Sequence, residues 1–266
     1  MIDLHCHILH GLDDGAKTLD EAVEMARMAE KDGITTIVAT PHLFRGEFTP
    51  KDLGIIEKKI EELRYVLEKN NIGVEIIKGA EVHIAHNLVD EIRKNRDYLV
   101  LNSSSYMFLE FPAGHVFSGV RELLFELMTE GFKPIIAHPE RNYVFMRSPD
   151  LLYELIQMGA LTQVNSGSFN GLYGRRVQEA AFRFLELRFT HFMGSDAHNP
   201  RLPHLWFSDA VKAVEERAGK EAAYALVNDN PHAVLTDNEI TYLPYPINPI
   251  EKERSFKIKI PKFFGR

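Results

Sequence analysis

The sequence predicts an α/β protein built from parallel βα units, and three observations predict it. Apolar, β-branched stretches recur along the chain, segments of helical period lie between most of them, and several stretches end in His, Asp or Glu. In chain order the stretches lie near Ile2 to Ile8, Ile34 to Ala39, Val74 to Gly79, Tyr106 to Phe111, Pro134 to Ala137, Leu161 to Val164 and His191 to Met193. A spacing of roughly 30 residues is that of strand-helix-strand units, which close most economically as a barrel. Seven candidate strands make that barrel incomplete or distorted.

Helix starts carry their own signals. Thr18-Leu-Asp-Glu21 reads as a capping box, and Thr49-Pro50-Lys51-Asp52 puts Pro where a first helical turn tolerates a missing N–H. Ser118 and Ser148-Pro149 open two later helices in the same style. No Ser-rich or Pro-rich linker interrupts residues 1–240, which are read as one domain. Beyond Asn230-Pro231 the pattern fades into Leu243-Pro-Tyr-Pro-Ile-Asn-Pro249, stiff connector chemistry that opens an extended basic tail over 241–266. The alternation Phe256-Lys-Ile-Lys-Ile260 suits strand addition to a partner or contact with an anionic membrane surface, and a frayed solvated end explains it equally well.

Composition narrows the function classes. At 266 residues, 45% hydrophobic and 26% charged, the chain excludes collagen-like, low-complexity and wholly disordered readings. One cysteine excludes an internal disulfide framework and a Cys-clustered zinc module. The start, Met1-Ile-Asp-Leu-His5, has no basic region leading into an apolar one, and no uncharged run is long enough to span a bilayer, so a cytoplasmic location without membrane insertion is expected. A net charge of -7 argues against nucleic acid, and with about +5 on Lys252 to Arg266 the remainder carries about -12. Twelve His beside 38 acids point instead to metal, because imidazole and carboxylate are the usual ligands of hard-to-borderline cations.

The ligand types stand at strand ends, which share one face in a βα barrel. His5 and His7 close the first stretch, His42 follows the second, Glu81 the third, Glu110 lies in the fourth, His138 ends the fifth, and Asp196 and His198 follow the seventh. Alternation along a strand puts His5 and His7 on one side and Cys6 on the other. Of Asp13 and Asp14, one is expected to stabilise the Gly11-Leu-Asp-Asp-Gly15 turn and the other to bind metal. Glu81 and Glu110 lie among apolar residues, so each needs a cation or a donor network, an arginine pair being the alternative. Arg141 beside His138 is placed to grip phosphate bidentately, with a surface ion pair to Glu140 as its ordinary alternative. A mixed nitrogen and oxygen shell without thiolate favours Mn, Fe or Zn, and clustered cations suit phosphate-ester hydrolysis.

The motifs His5-Cys-His7, Asp13-Asp-Gly-Ala16, Ala39-Thr-Pro-His42, Gly79-Ala-Glu81, Leu109-Glu-Phe-Pro112, Ala137-His-Pro-Glu-Arg141 and Gly194-Ser-Asp-Ala-His198 resemble the PHP (polymerase and histidinol phosphatase) superfamily. Among its branches the chain is similar to the metal-dependent bacterial protein-tyrosine phosphatases of capsule and exopolysaccharide operons. The resemblance implies a distorted, incomplete TIM-like (β/α)7 barrel with three divalent metals, Mn2+ foremost. His5, His7, Glu81 and Asp196 would hold the first, Glu81, Glu110 and His138 the second, and Asp14, His42 and His198 the third. Catalytic roles fall to Arg141, Glu81 and Asp196, with Arg201 the nearest match to a second expected arginine. The implied activity is hydrolysis of phosphotyrosine on protein, with a bacterial tyrosine kinase as partner. A small-molecule phosphoesterase is the rival reading and a non-catalytic metal-binding scaffold a third. Cysteine phosphatase chemistry is not expected, because Leu12 stands where an arginine six residues after Cys6 would be required.

Overall fold

Parallel strands need long crossovers, and helices supply them in this chain. The computed structural model describes residues 1–46, 53–84, 88–201 and 207–250. Its strands are β1 (Ile2–Cys6), β2 (Thr36–Ala39), β3 (His42–Leu43), β4 (Glu75–Lys78), β5 (Glu81–His83), β6 (Tyr106–Glu110), β7 (Lys133–Ala137), β8 (Leu161–Asn165) and β9 (Phe192–Gly194). The helices are α1 (Leu19–Lys31), α2 (Gly54–Lys69), α3 (Leu88–Leu99), α4 (Val120–Thr129), α5 (Tyr143–Arg147), α6 (Pro149–Gln157), α7 (Ser166–Phe169), α8 (Arg175–Glu186), α9 (Phe207–Ala218), α10 (Lys220–Val227) and α11 (Asp229–Leu235).

All strand pairs are parallel, in the orders β1-β2-β4 and β3-β5-β6-β7-β8-β9. Among the described residues nine strands stand where seven stretches were expected, because two stretches break, at Thr40-Pro41 and at Gly79-Ala80, and their second halves join the larger sheet. Pro41 has no N–H to donate to a ladder. At Gly79 a β-carbon would lie 2.6 Å from Val38 and 2.9 Å from Leu101, so glycine lets the backbone pass close to these two side chains where the strand breaks. The other side of the ring is joined by backbone bonds from Asp196 N–H to the His5 carbonyl (2.8 Å) and from His7 N–H to the Ala197 carbonyl (2.9 Å). Counting each broken stretch once, seven strand positions follow one another around the fold, divided between two sheets at the two breaks.

One apolar cluster fills the interior, including Leu4, Val38, Ile77, Phe108, Ile135 and Phe192. A larger one lies between strands and helices. Helix α2 buries Ile56, Ile60, Leu63 and Leu67, one per turn along a single stripe, each contributing about 1.5–3 kcal/mol relative to exposure.

The helix signals meet mixed outcomes. Thr18 Oγ1 accepts from Glu21 N–H at 3.2 Å, but Glu21 reaches back to Lys17 N–H rather than to Thr18. Pro149 opens α6 without a side-chain bond from Ser148, and Gly119, not Ser118, sits at the cap of α4. The Thr49-Pro50 signal lies outside the described residues. Buried Asn230 fastens the segment after residue 240, receiving Tyr242 N–H and donating to the carbonyls of Tyr242 and His191. The basic stretch from Lys252 onward lies outside the described residues. Among the described residues no helix is long and apolar enough to cross a membrane.

Candidate metal centre

A local irregularity of β1 aims His5 into the site. Between Asp3 and Cys6 the pairing with β2 shifts by one residue, and this bulge lets Leu4 join the interior cluster while its neighbour His5 also faces inward, 4.9 Å from the Phe108 ring. Cys6 stays on the outer side, as the alternation requires. His5, His7, His42, Glu81, Glu110, His138 and Asp196 are all buried.

Glu81 is the hub. Its Oε1 meets His138 Nε2 at 2.8 Å, and its Oε2 lies 3.3 Å from the Nε2 atoms of both His5 and His7 and 2.9 Å from His42 Nδ1. Potential ligand atoms gather around it in three overlapping groups: His5, His7, Glu81 and Asp196; His42, Glu81 and Glu110; and His7, Asp14, His42 and His198, the atoms of each lying within 4.8 Å of one another. His138 approaches the second group through Glu81. Of the two adjacent aspartates, Asp14 is half exposed and faces His42 (3.4 Å) and His198 (3.3 Å). Buried Asp13 instead accepts from His7 Nδ1 (2.8 Å) and from the backbone N–H groups of Gly15 and His42, so it orients rather than joins the cluster.

This arrangement fits cations. The fully buried Oε2 of Glu81 accepts no hydrogen bond, although imidazole nitrogens surround it. His5 Nε2 and His7 Nε2 face each other at 3.2 Å. The outer nitrogen of each ring has an acceptor, Gln163 Oε1 for His5 (2.8 Å) and Asp13 for His7, which places the lone pairs of both Nε2 atoms toward Glu81 and Asp196. The carboxylates also demand positive charge without metal. Burial opposes protonation of His5, but Glu81 and Asp196 outweigh it and raise its pKa to about 9. A cation taken up there would displace that proton, so metal occupancy is expected to rise with pH, as a series of metal titrations at increasing pH would check.

Two positions beside Glu81 need unusual backbone. His138 and Asp196 adopt left-handed conformations, with φ of 34° and 53°. Such residues cost on the order of 1–3 kcal/mol each and gather at functional sites. Asp196 is held by Asn165 Nδ2 (2.7 Å) and by Arg141, whose guanidinium lies 4.4 Å over the Tyr173 ring. Glu140 is not the partner of Arg141: it is buried, accepts from Asn165 N–H and Ser168 Oγ, and has its pKa pushed up by that burial. Arg201 is not brought into the cluster. It is 80% exposed and pairs with Glu21 at 3.3 Å. Gln163 and Asn165 belong to no sequence motif, although polar residues in the wholly buried β8 need partners, and Tyr173, in the turn after α7, carries no such signal.

Beside the cluster lies a cavity of about 200 Å³ lined by Arg45, His83, Glu110, His138 and Arg141 among others. Pro112 also lines a larger groove of about 680 Å³, bounded by Ile84, Leu88, Phe117, Glu122 and Leu123.

Cys6 is unsuited to nucleophilic work. Burial pushes its thiol pKa well up, and Sγ points to the Ala197 carbonyl at 3.7 Å. Cys6→Ser is expected to keep most of any hydrolytic activity, with a change confined to stability. A folded, metal-loaded Cys6→Ser protein unable to turn over would contradict this.

The family model for capsular polysaccharide synthesis, CpsB/CapC, matches residues 1–236. The tyrosine-protein phosphatase YwqE of Bacillus subtilis is 35% identical over 256 residues, covering 96% of this chain and 99% of YwqE. The tyrosine-protein phosphatase CpsB of Streptococcus agalactiae is 30% identical, covering 90% of this chain and 100% of its own. A solved structure from work on B. subtilis YwqE and Streptococcus pneumoniae CpsB, described as metal-dependent tyrosine phosphatases, superposes with a TM-score of 0.88 at 35% identity over 93% of this chain and 99% of that one. The Lactococcus lactis histidinol phosphate phosphatase shares the fold alone, at TM-score 0.54 and 16% identity, over 82% of this chain and 93% of its own.

Proposed function

The chain belongs to the CpsB/CapC family of capsular polysaccharide synthesis, and from that premise we propose that it is a metal-dependent phosphatase acting on phosphotyrosine in protein. The observation that carries the reading is the set of three overlapping nitrogen and oxygen ligand groups around Glu81, opening beside a cavity that Arg141 lines.

Three divalent ions are proposed: one on His5, His7, Glu81 and Asp196, one on Glu81, Glu110 and His138, and one on Asp14, His42 and His198. The thiolate-free donor set supports Mn2+, with Fe or Zn as alternatives. When bound, such ions supply Lewis acidity and lower the pKa of water. The chain's own residues do the remainder. Gln163 and Asp13 fix the His5 and His7 rings, and Asn165 holds Asp196. Arg141, set by Asp196 and the Tyr173 face, presents a planar fork to phosphoryl oxygens. The adjoining groove gives apolar residues beside a phosphotyrosine a surface, which supports a polypeptide substrate over a small metabolite.

The proposed partner is a bacterial tyrosine kinase that regulates polysaccharide export, its phosphorylated tail being the substrate. Because tyrosine phosphorylation consumes ATP, the cytoplasm is the proposed compartment.

Matched kinetics on a phosphotyrosine peptide, free phosphotyrosine and histidinol phosphate test the substrate class. The expected order of kcat/KM is peptide first, by at least about tenfold, a margin of about 1.4 kcal/mol for contacts in the groove. A preference for histidinol phosphate would replace this reading with that of a small-molecule phosphoesterase.

A further inference from the structure

We propose that the groove beside the catalytic cavity selects its polypeptide by charge, seating a substrate segment that carries Lys or Arg among apolar residues on one side of the phosphotyrosine. The proposal rests on the phosphatase reading above and names the class of polypeptide within it. The groove, of about 680 Å³, lies between the start of α3, the first turns of α4 and the loop after β6. Buried Leu88 and partly buried Ile84, Phe117 and Leu123 make it apolar. An apolar hollow with a polar rim is the form of a protein-binding surface. Pro112 lines both the groove and the catalytic cavity, so a polypeptide seated in one continues into the other.

The two hollows suit opposite charges. The cavity presents Arg141 to an anion, whereas Asp90, Glu122 and Glu126 line the groove, with no Lys or Arg among its described lining residues. Little cancels these carboxylates from behind. Arg93 is divided among Glu130 (2.7 Å), Glu126 (3.3 Å) and Asp90 (3.8 Å). Arg121, next to Glu122, turns to Glu154, and Glu122 has no ion-pair partner among the described residues. One guanidinium shared by three carboxylates leaves the rim negative. At an exposed rim such charge steers encounter and rejects like charge more than it tightens binding. A phosphotyrosine with basic neighbours matches both hollows at once, an acidic neighbour meets repulsion in the groove, and a small phosphate ester reaches the cavity alone.

The test is equilibrium binding of synthetic peptides to metal-loaded protein, followed by fluorescence anisotropy. The peptides carry a non-hydrolysable phosphonate in place of the tyrosine phosphate and differ only in Lys, Gln or Glu placed before or after it. Lys peptides are expected to bind roughly three- to tenfold tighter than Gln peptides at low ionic strength, the yield of a few exposed ion pairs, and Glu peptides weaker than either. The preference should appear on one side of the tyrosine, because the groove lies on one side of the cavity, and should fade at about 0.5 M salt. Glu122→Lys should invert it in favour of Glu peptides, an exchange that a merely structural role would not produce. Equal affinity for Lys and Glu peptides, or a preference that Glu122→Lys leaves unchanged, would overturn the proposal. So would tighter binding of every peptide after removal of residues 251–266, which would seat the chain's own basic segment in the groove, or a dimer that Glu122→Lys dissociates, which would give it to a second copy. A salt-sensitive preference for Lys peptides in protein that hydrolyses no phosphotyrosine peptide would strike the phosphatase reading and leave the groove assignment standing. Hydrolysis without that preference would do the reverse.

Discussion

Glu81→Gln is expected to lower metal content below that of the wild-type protein and to abolish turnover on phosphotyrosine peptide. Glu81 is fully buried, and both its oxygens face imidazole nitrogens of four different histidines. Glutamine keeps the shape but removes the negative charge and turns one oxygen into a donor. Two cations sharing this position would then repel each other without a carboxylate between them. Losing Lewis-acid stabilisation worth several kcal/mol corresponds to a fall in kcat of roughly a thousandfold or more. Elemental analysis and kinetics on the same preparation check it. Unchanged metal content in Glu81→Gln would reject the bridging role.

Arg141→Ala should lower kcat by roughly two to three orders of magnitude, the size of a lost oxyanion donor, with metal content retained. Retention is expected because Asn165 still holds the same oxygen of Asp196 that Arg141 contacts. Lysine keeps the charge but loses the planar fork and its seat on Tyr173, so Arg141→Lys should recover only part of the activity. A residue serving only as a partly exposed ion pair would change stability by less than about 1 kcal/mol and leave kinetics nearly normal. Near-wild-type turnover in Arg141→Ala would remove Arg141 from the site.

Much of this was legible in the sequence because strand ends and ligand types coincide there. His5 lies near the end of a recognisable apolar stretch and His42, Glu81, His138 and Asp196 each follow one, and parallel topology brings such ends to one face. Alternation alone placed Cys6 away from His5 and His7. It could not reveal that the bulge at Leu4 and His5 turns both inward, since an extra residue in a strand has no periodic signature. Nor did composition foretell the breaks at Pro41 and Gly79, where the chain changes sheets. The choice between Asp13 and Asp14 depended on which carboxylate His7 meets, a contact set by the loop's path in space. Gln163 and Asn165 were hidden inside a stretch that reads as an ordinary strand, and Arg45 and Tyr173 lie on loops with no spacing rule to mark them.

The most direct measurement is hydrolysis of a phosphotyrosine peptide by protein stripped of metal with a chelator and then titrated with Mn2+, while bound metal is counted. Stripped protein should show no turnover, with recovery that tracks occupancy up to about three ions per chain, the number of overlapping ligand groups at the site. Turnover that persists without metal, or fully loaded protein that leaves phosphotyrosine intact, would contradict this.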